Sequence, residues 1–169
     1  MALRRSRVDR GPRGAIRITL PVGERSFLDD LARQLRKIVS DVDPTVPPDE
    51  LRARLFPRAY EDPLDQNEYA DQNTGPLAEA KRTALDTFLE SLADGSERGG
   101  LWRIDLAREQ VDAWLAVLND GRLVLGKLAG IEDEDDWEMV RASEDDTGVL
   151  LDYLSMLQEG LLGLLLGRD

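Results

Sequence analysis

The chain has 169 residues, of which 34 are acidic and 22 basic, a net charge of −12, and 41% are apolar. That length suits one domain with a real core, and the composition is that of a globular protein, not a disordered one. It contains no histidine and no cysteine, which excludes Ser-His-Asp and Cys-His nucleophile systems, Cys/His zinc sites, disulfides and thiol switches.

A reaction would fall to carboxylates, lysine, tyrosine or a bound ion. No spacing singles such a set out, so the chain reads as non-enzymatic, with no catalytic residue, cofactor or metal ligand expected. Charge is uneven: the first seventeen residues hold six arginines against Asp9, net +5, leaving −17 for the rest. A body that acidic argues against a broad nucleic-acid face. Residues 1–14 read as a basic, disordered arm, with a weak DNA contact as its one functional use. Residues 15–169 read as a single globular domain. No apolar stretch of signal-peptide length follows the arginines near Met1, and the leucine run Leu164–Leu166 is too short to span a bilayer. A cytoplasmic protein without membrane contact is expected.

Along the chain, Ile16, Ile18 and Leu20 alternate with Arg17 and Thr19, which predicts a half-buried strand. Ser26 with Asp29 resembles a capping box, and Phe27, Leu28, Leu31, Leu35, Ile38 and Val39 then share a helical face ending near Ser40. A proline-rich connector leads to a short helical piece at about Pro48–Leu55. The next segment, Leu55–Tyr69, packs Phe56, Tyr60, Tyr69 and Arg58 among prolines and carboxylates. It reads as a structural corner or as a partner-binding edge, since aromatic residues and arginine are the usual hot-spot types.

Gly75-Pro76 opens a helix with Leu77, Ala80, Ala84, Leu85, Phe88, Leu89 and Leu92 as its stripe, stopped at Asp94-Gly95. After Gly99-Gly100, Trp102, Ile104 and Leu106 alternate with Arg103 and Asp105 as a second strand. Two lone strands of matching length pair most simply with each other, because either alone would leave its backbone unsatisfied. From Ala107 the spacing of Val111, Trp114, Leu115, Leu118, Leu125 and Leu128 favours one helix to about Ala129, against a hairpin turning at Asn119-Asp120-Gly121. Trp102 and Trp114 fall on buried-phase positions.

Residues Ile131–Asp146 read as an acidic loop. Six carboxylates in seven residues around Trp137 fail the EF-hand pattern, because Glu138 stands where glycine is required. Trp137 there is a candidate docking residue for a basic partner. The last helix, about Asp146–Leu166, has a leucine face broad enough for a homodimer seam or a central core position. Gly160 and Gly163 within it read as points of close approach by another helix. The fold expected is α+β and mainly helical: four or five amphipathic helices packed on a small two-stranded β ribbon.

Three blocks, Leu55–Pro63, Trp114–Gly126 and Leu151–Glu159, together resemble the actinobacterial domain-of-unknown-function 2017 family, over most of the chain from about Ala15. That family includes the oxidative-stress regulator AosR, which works on transcription with a sigma factor, and its genes often neighbour a Clp protease adaptor. The resemblance implies a stress-linked regulatory or interaction protein whose partner is a sigma factor or RNA polymerase, with Clp machinery as the alternative. It also implies that Asn119–Gly121 lies inside a helix. The regulator is held to sense oxidants through a cysteine pair, so this chain, lacking cysteine, is not a thiol switch. The partner-binding candidates are Phe56, Arg58, Tyr60, Tyr69 and Trp137.

Overall fold

A computed structural model describes residues 6–40, 50–55, 75–130, 134–142 and 146–167. Strands β1 (Arg7–Arg10), β2 (Ile16–Pro21), β3 (Ser96–Arg98) and β4 (Leu101–Leu106) form one antiparallel sheet in the order β1-β2-β4-β3. The helices are α1 (Val22–Ser40), α2 (Glu50–Leu55), α3 (Gly75–Ala93), α4 (Arg108–Leu128), α5 (Glu134–Ala142) and α6 (Asp146–Leu165). The fold is therefore mainly helical α+β.

The two strands read from alternation pair with each other, Ile18 opposite Ile104 and Leu20 opposite Trp102. The ribbon is wider than expected because each inner strand gains an edge strand. Residues 7–10, read as part of a disordered arm, are strand β1, with Val8 opposite Ile18. Two of its four side chains, Val8 and Arg10, fall on the face of Ile18 and Ile16, and Val8 is the one apolar residue among the four, so no alternation is visible in the sequence. On the other edge, Gly99 and Gly100 both adopt positive φ (61° and 80°), the backbone of a tight hairpin turn. They join β3 to β4, where the sequence suggested only a strand beginning.

Helix α1 starts directly after Pro21, four residues before the capping box inferred at Ser26. Ser26 Oγ instead donates to the Val22 carbonyl within the first turn. Residues Arg108–Leu128 form one helix, as the three-and-four spacing predicted, and Gln110 Oε1 accepts from the Ala107 backbone N–H at its start. The region read as an acidic loop carries helix α5, which begins with Glu134, Asp135 and Asp136. Carboxylates there complement the positive end of the helix dipole.

The core lies between the sheet and the helices. Ile16, Ile18, Leu20, Ile104 and Leu106 meet Leu28, Leu35, Phe88, Leu92, Trp114 and Leu118. Phe88 and Trp114 pack with ring centroids 4.2 Å apart, and a polar chain runs beside them: Trp114 Nε1 donates to Ser91 Oγ, which donates to the Phe88 carbonyl. Helix α6 buries Leu151, Leu154, Leu157 and Leu161, a core role for one of its faces.

Gly160 admits a close neighbour, although a strand and not a helix. A Cβ there would lie 3.0 Å from Val8, and one at Gly163 would touch nothing. The N-terminal strand is thus seated on α6, and Ser6 Oγ donates to Tyr153 OH at 3.2 Å to fasten it.

The Asn119-Asp120-Gly121 segment shows why a turn-like motif sits within a helix. A Cβ on Gly121 would stand 2.9 Å from Leu31 and 3.5 Å from Leu154, so glycine lets α1 and α6 close on α4. Asp120 accepts both its hydrogen bonds from Lys81 of α3, at 2.9 and 3.0 Å.

Candidate functional site

Of the residues singled out from the sequence, Phe56, Arg58, Tyr60 and Tyr69 lie outside the described residues. Trp137 belongs to α5, but its side chain also lies outside them. The surface that the described residues do assemble is the outer face of the sheet.

Successive strand residues point to opposite faces. Since Val8, Ile18 and Ile104 face the helices, the residues one position along, Arg7, Thr19 and Arg103, stand on the other side, directly opposite one another across three strands. On one side of them Asp9, Arg17 and Asp105 form another row, and on the other side Pro21, Leu101 and Arg98 do. The face therefore carries four arginines and two aspartates on a protein whose net charge is −12.

Two ion pairs order part of it. Arg17 Nε and Nη2 donate to the two Asp105 carboxylate oxygens at 2.7 and 3.2 Å, a forked pair across β2 and β4. The hydrogen bonds from Arg17 hold the Asp105 carboxyl below its ordinary range, and the same contact raises the guanidinium. Arg7 meets Asp9 at 3.3 Å, an exposed pair that adds little to stability. Arg98 and Arg103 form no ion pair among the described residues.

Between Arg7 and Arg103 lies Thr19, only 2% exposed, and its Oγ1 has no hydrogen-bond partner. Buried hydroxyls are seldom left so, because the lost water contact is not repaid. At the rim, Arg25 of α1 lies 3.9 Å above the Trp102 ring, and Trp102 Nε1 donates to the Leu92 carbonyl. These contacts fix the sheet against α1 and α3.

Chemically the face offers fixed donors and positive charge, suited to holding an anion. Among the described residues no three His, Cys, Asp or Glu side chains come together as a metal site would need. A second exposed feature is apolar: Val149, Met156 and Leu162 lie on the outward side of α6, with Leu166 just past its end. By length and composition α6 is the one helix among the described residues able to cross a bilayer, though its opposite face is built into the core.

The sequence held a signal for the outer face. Arg17, Thr19, Arg103 and Asp105 are the polar alternates of the two strands it revealed. Missing were β1 and β3, which supply Arg7 and Arg98, and the register that brings Arg17 to Asp105.

A family model described as "Domain of unknown function (DUF2017)" matches residues 4–165. No curated protein and no solved structure matches the chain.

Proposed function

The chain belongs to the domain-of-unknown-function 2017 family, and from that premise we propose that it is a non-enzymatic regulatory protein that docks on the transcription machinery. The observation that supports a docking role is the outer sheet face, where arginines flank a buried, unpartnered threonine hydroxyl on an acidic body. Folding alone does not require them. The proposed partner is RNA polymerase or a sigma factor, by resemblance to the regulators of the family, and the proposed compartment is the cytoplasm. Without cysteine, any response to stress runs through the partner or through abundance, not through a thiol.

Affinity purification of the tagged chain from its own cell tests this. Recovery of RNA polymerase subunits is the expected result, and recovery of Clp subunits without polymerase overturns it in favour of an adaptor in proteolysis. The exposed apolar side of α6 supports a homodimer as the working form. Light scattering should then give twice the chain mass, and Met156→Glu with Leu162→Glu should return the monomer.

A further inference from the structure

The outer face is graded in charge along the strands. The row of Pro21, Leu101 and Arg98 carries a formal +1, and the row of Arg7, Thr19 and Arg103 carries +2. The third row, Asp9, Arg17 and Asp105, carries −1. Same-face residues of a strand repeat about every 6.7 Å, which is also the spacing of alternate side chains in any extended chain laid along it. An acceptor above the middle row would meet the Arg103 guanidinium and that of Arg7, which also holds Asp9 at 3.3 Å, with the buried Thr19 hydroxyl, otherwise without a partner, between them. One position along, it would meet Arg98. One position the other way, it would meet Asp9 and Asp105, with Arg17 already committed to Asp105.

That gradient separates a protein ligand from a nucleic acid. A phosphate backbone brings the same charge to all three rows, so it would press a phosphate against the two aspartates, on a protein of net −12. A peptide is free to place acids over the first two rows and a neutral or basic residue over the third. We propose that the outer face of the sheet binds an extended protein segment bearing acidic side chains at two alternate positions and a neutral or basic one at the next alternate position. One carboxylate sits between Arg7 and Arg103 and accepts from Thr19 Oγ1, and the other reaches Arg98. This rests on the docking role proposed above and specifies what is docked.

The test is fluorescence anisotropy of the full chain with a labelled peptide, Ser-Thr-Glu-Thr-Glu-Thr-Lys-Thr-Ser, and its reversed sequence. One of the two should bind, with affinity that falls as salt is raised. Replacing both glutamates by glutamine should weaken it by about tenfold or more, and Arg103→Gln should do the same by about tenfold. Thr19→Val should weaken binding several-fold while leaving the protein at least as resistant to heat, a combination that damage to the fold does not produce. No binding of either peptide at millimolar concentration, or unchanged affinity in Arg103→Gln, overturns the proposal. So does an oligothymidylate that displaces the peptide and is itself weakened by Arg103→Gln, since the face would then belong to nucleic acid.

The two proposals fail separately. Polymerase recovered with a protein that binds neither peptide removes the acidic segment and keeps the docking role. Peptide binding without polymerase does the reverse.

Discussion

On one side of the sheet Val8, Ile18 and Ile104 stand in line beneath the helices. On the other, one residue along each strand, Arg7, Thr19 and Arg103 stand in line facing out. Every residue of the first line is accounted for by burial against α1, α4 and α6. In the second, two cations flank a hydroxyl that is buried and unpartnered. Each side also holds an ion pair. Lys81–Asp120 is nearly closed from solvent, at 17% and 12% side-chain exposure, whereas Arg17–Asp105 is far more open, at 28% and 40%. The same strands thus carry a face selected for packing and a face whose residues packing does not explain, and substitutions should separate the two.

The largest effect belongs to the packed side. Trp114→Ala removes the most voluminous fully buried side chain among the described residues, its contact with Phe88 and the donor to Ser91. Truncations of this kind cost about 3–5 kcal/mol, read from urea unfolding midpoints. A loss below about 1 kcal/mol would mean that the two faces are not distinguished by packing at all.

Next comes Asp120. Its replacement by alanine takes this carboxylate from the nearly closed site of the Lys81 ammonium, at a cost of about 2 kcal/mol. Burial raises the Asp120 carboxyl above its ordinary value, and Lys81 only partly offsets that. The folded state therefore binds the proton more tightly than the unfolded chain does. The group's contribution is greatest below the unfolded value and declines as pH rises through it toward the folded value, from about pH 4 upward. Asp120→Asn keeps the shape and cannot ionise, so the stability gap between wild type and this variant should shrink between about pH 4 and pH 7. A gap that widens would reverse the assigned sign.

The packed side was also the legible one. Alternation at Ile16–Leu20 and Trp102–Leu106 marked the inner strands, and three-and-four spacing marked α1, α3, α4 and α6, because burying one face imposes the period of the element. What escaped was what burial does not pattern. Strand β1 has Val8 alone to show, β3 has no buried residue, and α5 opens with three acids. Gly160 signalled a close neighbour, yet glycine tells nothing of whether a helix or a strand fills the space. The outer face follows the same logic. Its polar alternates were visible, but their grouping depends on edge strands without apolar period and on a register that five-residue runs do not determine.

Thr19→Val belongs to the open side and has the opposite sign. It exchanges a buried hydroxyl without a partner for a methyl group of similar size on a strand that favours β-branched residues. The protein should gain about 1 kcal/mol, measured as a higher urea midpoint with an unchanged slope. A hydroxyl kept at the expense of stability points to a use outside the fold. A destabilised Thr19→Val would instead show that the hydroxyl serves the fold and would erase the contrast between the faces.

The smallest effect is expected at Asp105, and its value lies in its pH dependence. Arg17 holds this carboxyl below its ordinary range, so its contribution is present above the unfolded value and is lost as pH falls through the folded one, from about pH 4 downward. That is the reverse of Asp120. Because the pair is largely exposed, Asp105→Asn should shift the neutral-pH midpoint only slightly and in a salt-dependent way. Its clearer signature is acid unfolding less steep than in wild type, measured by circular dichroism from about pH 4 to pH 2. The variant also removes one negative charge from the third row of the outer face, next to the forked arginine, and so frees Arg17 to meet an anion. If the charge gradient selects the ligand, Asp105→Asn should let a peptide with a third alternate glutamate bind as well as one with lysine there, while Asp120→Asn leaves that preference untouched.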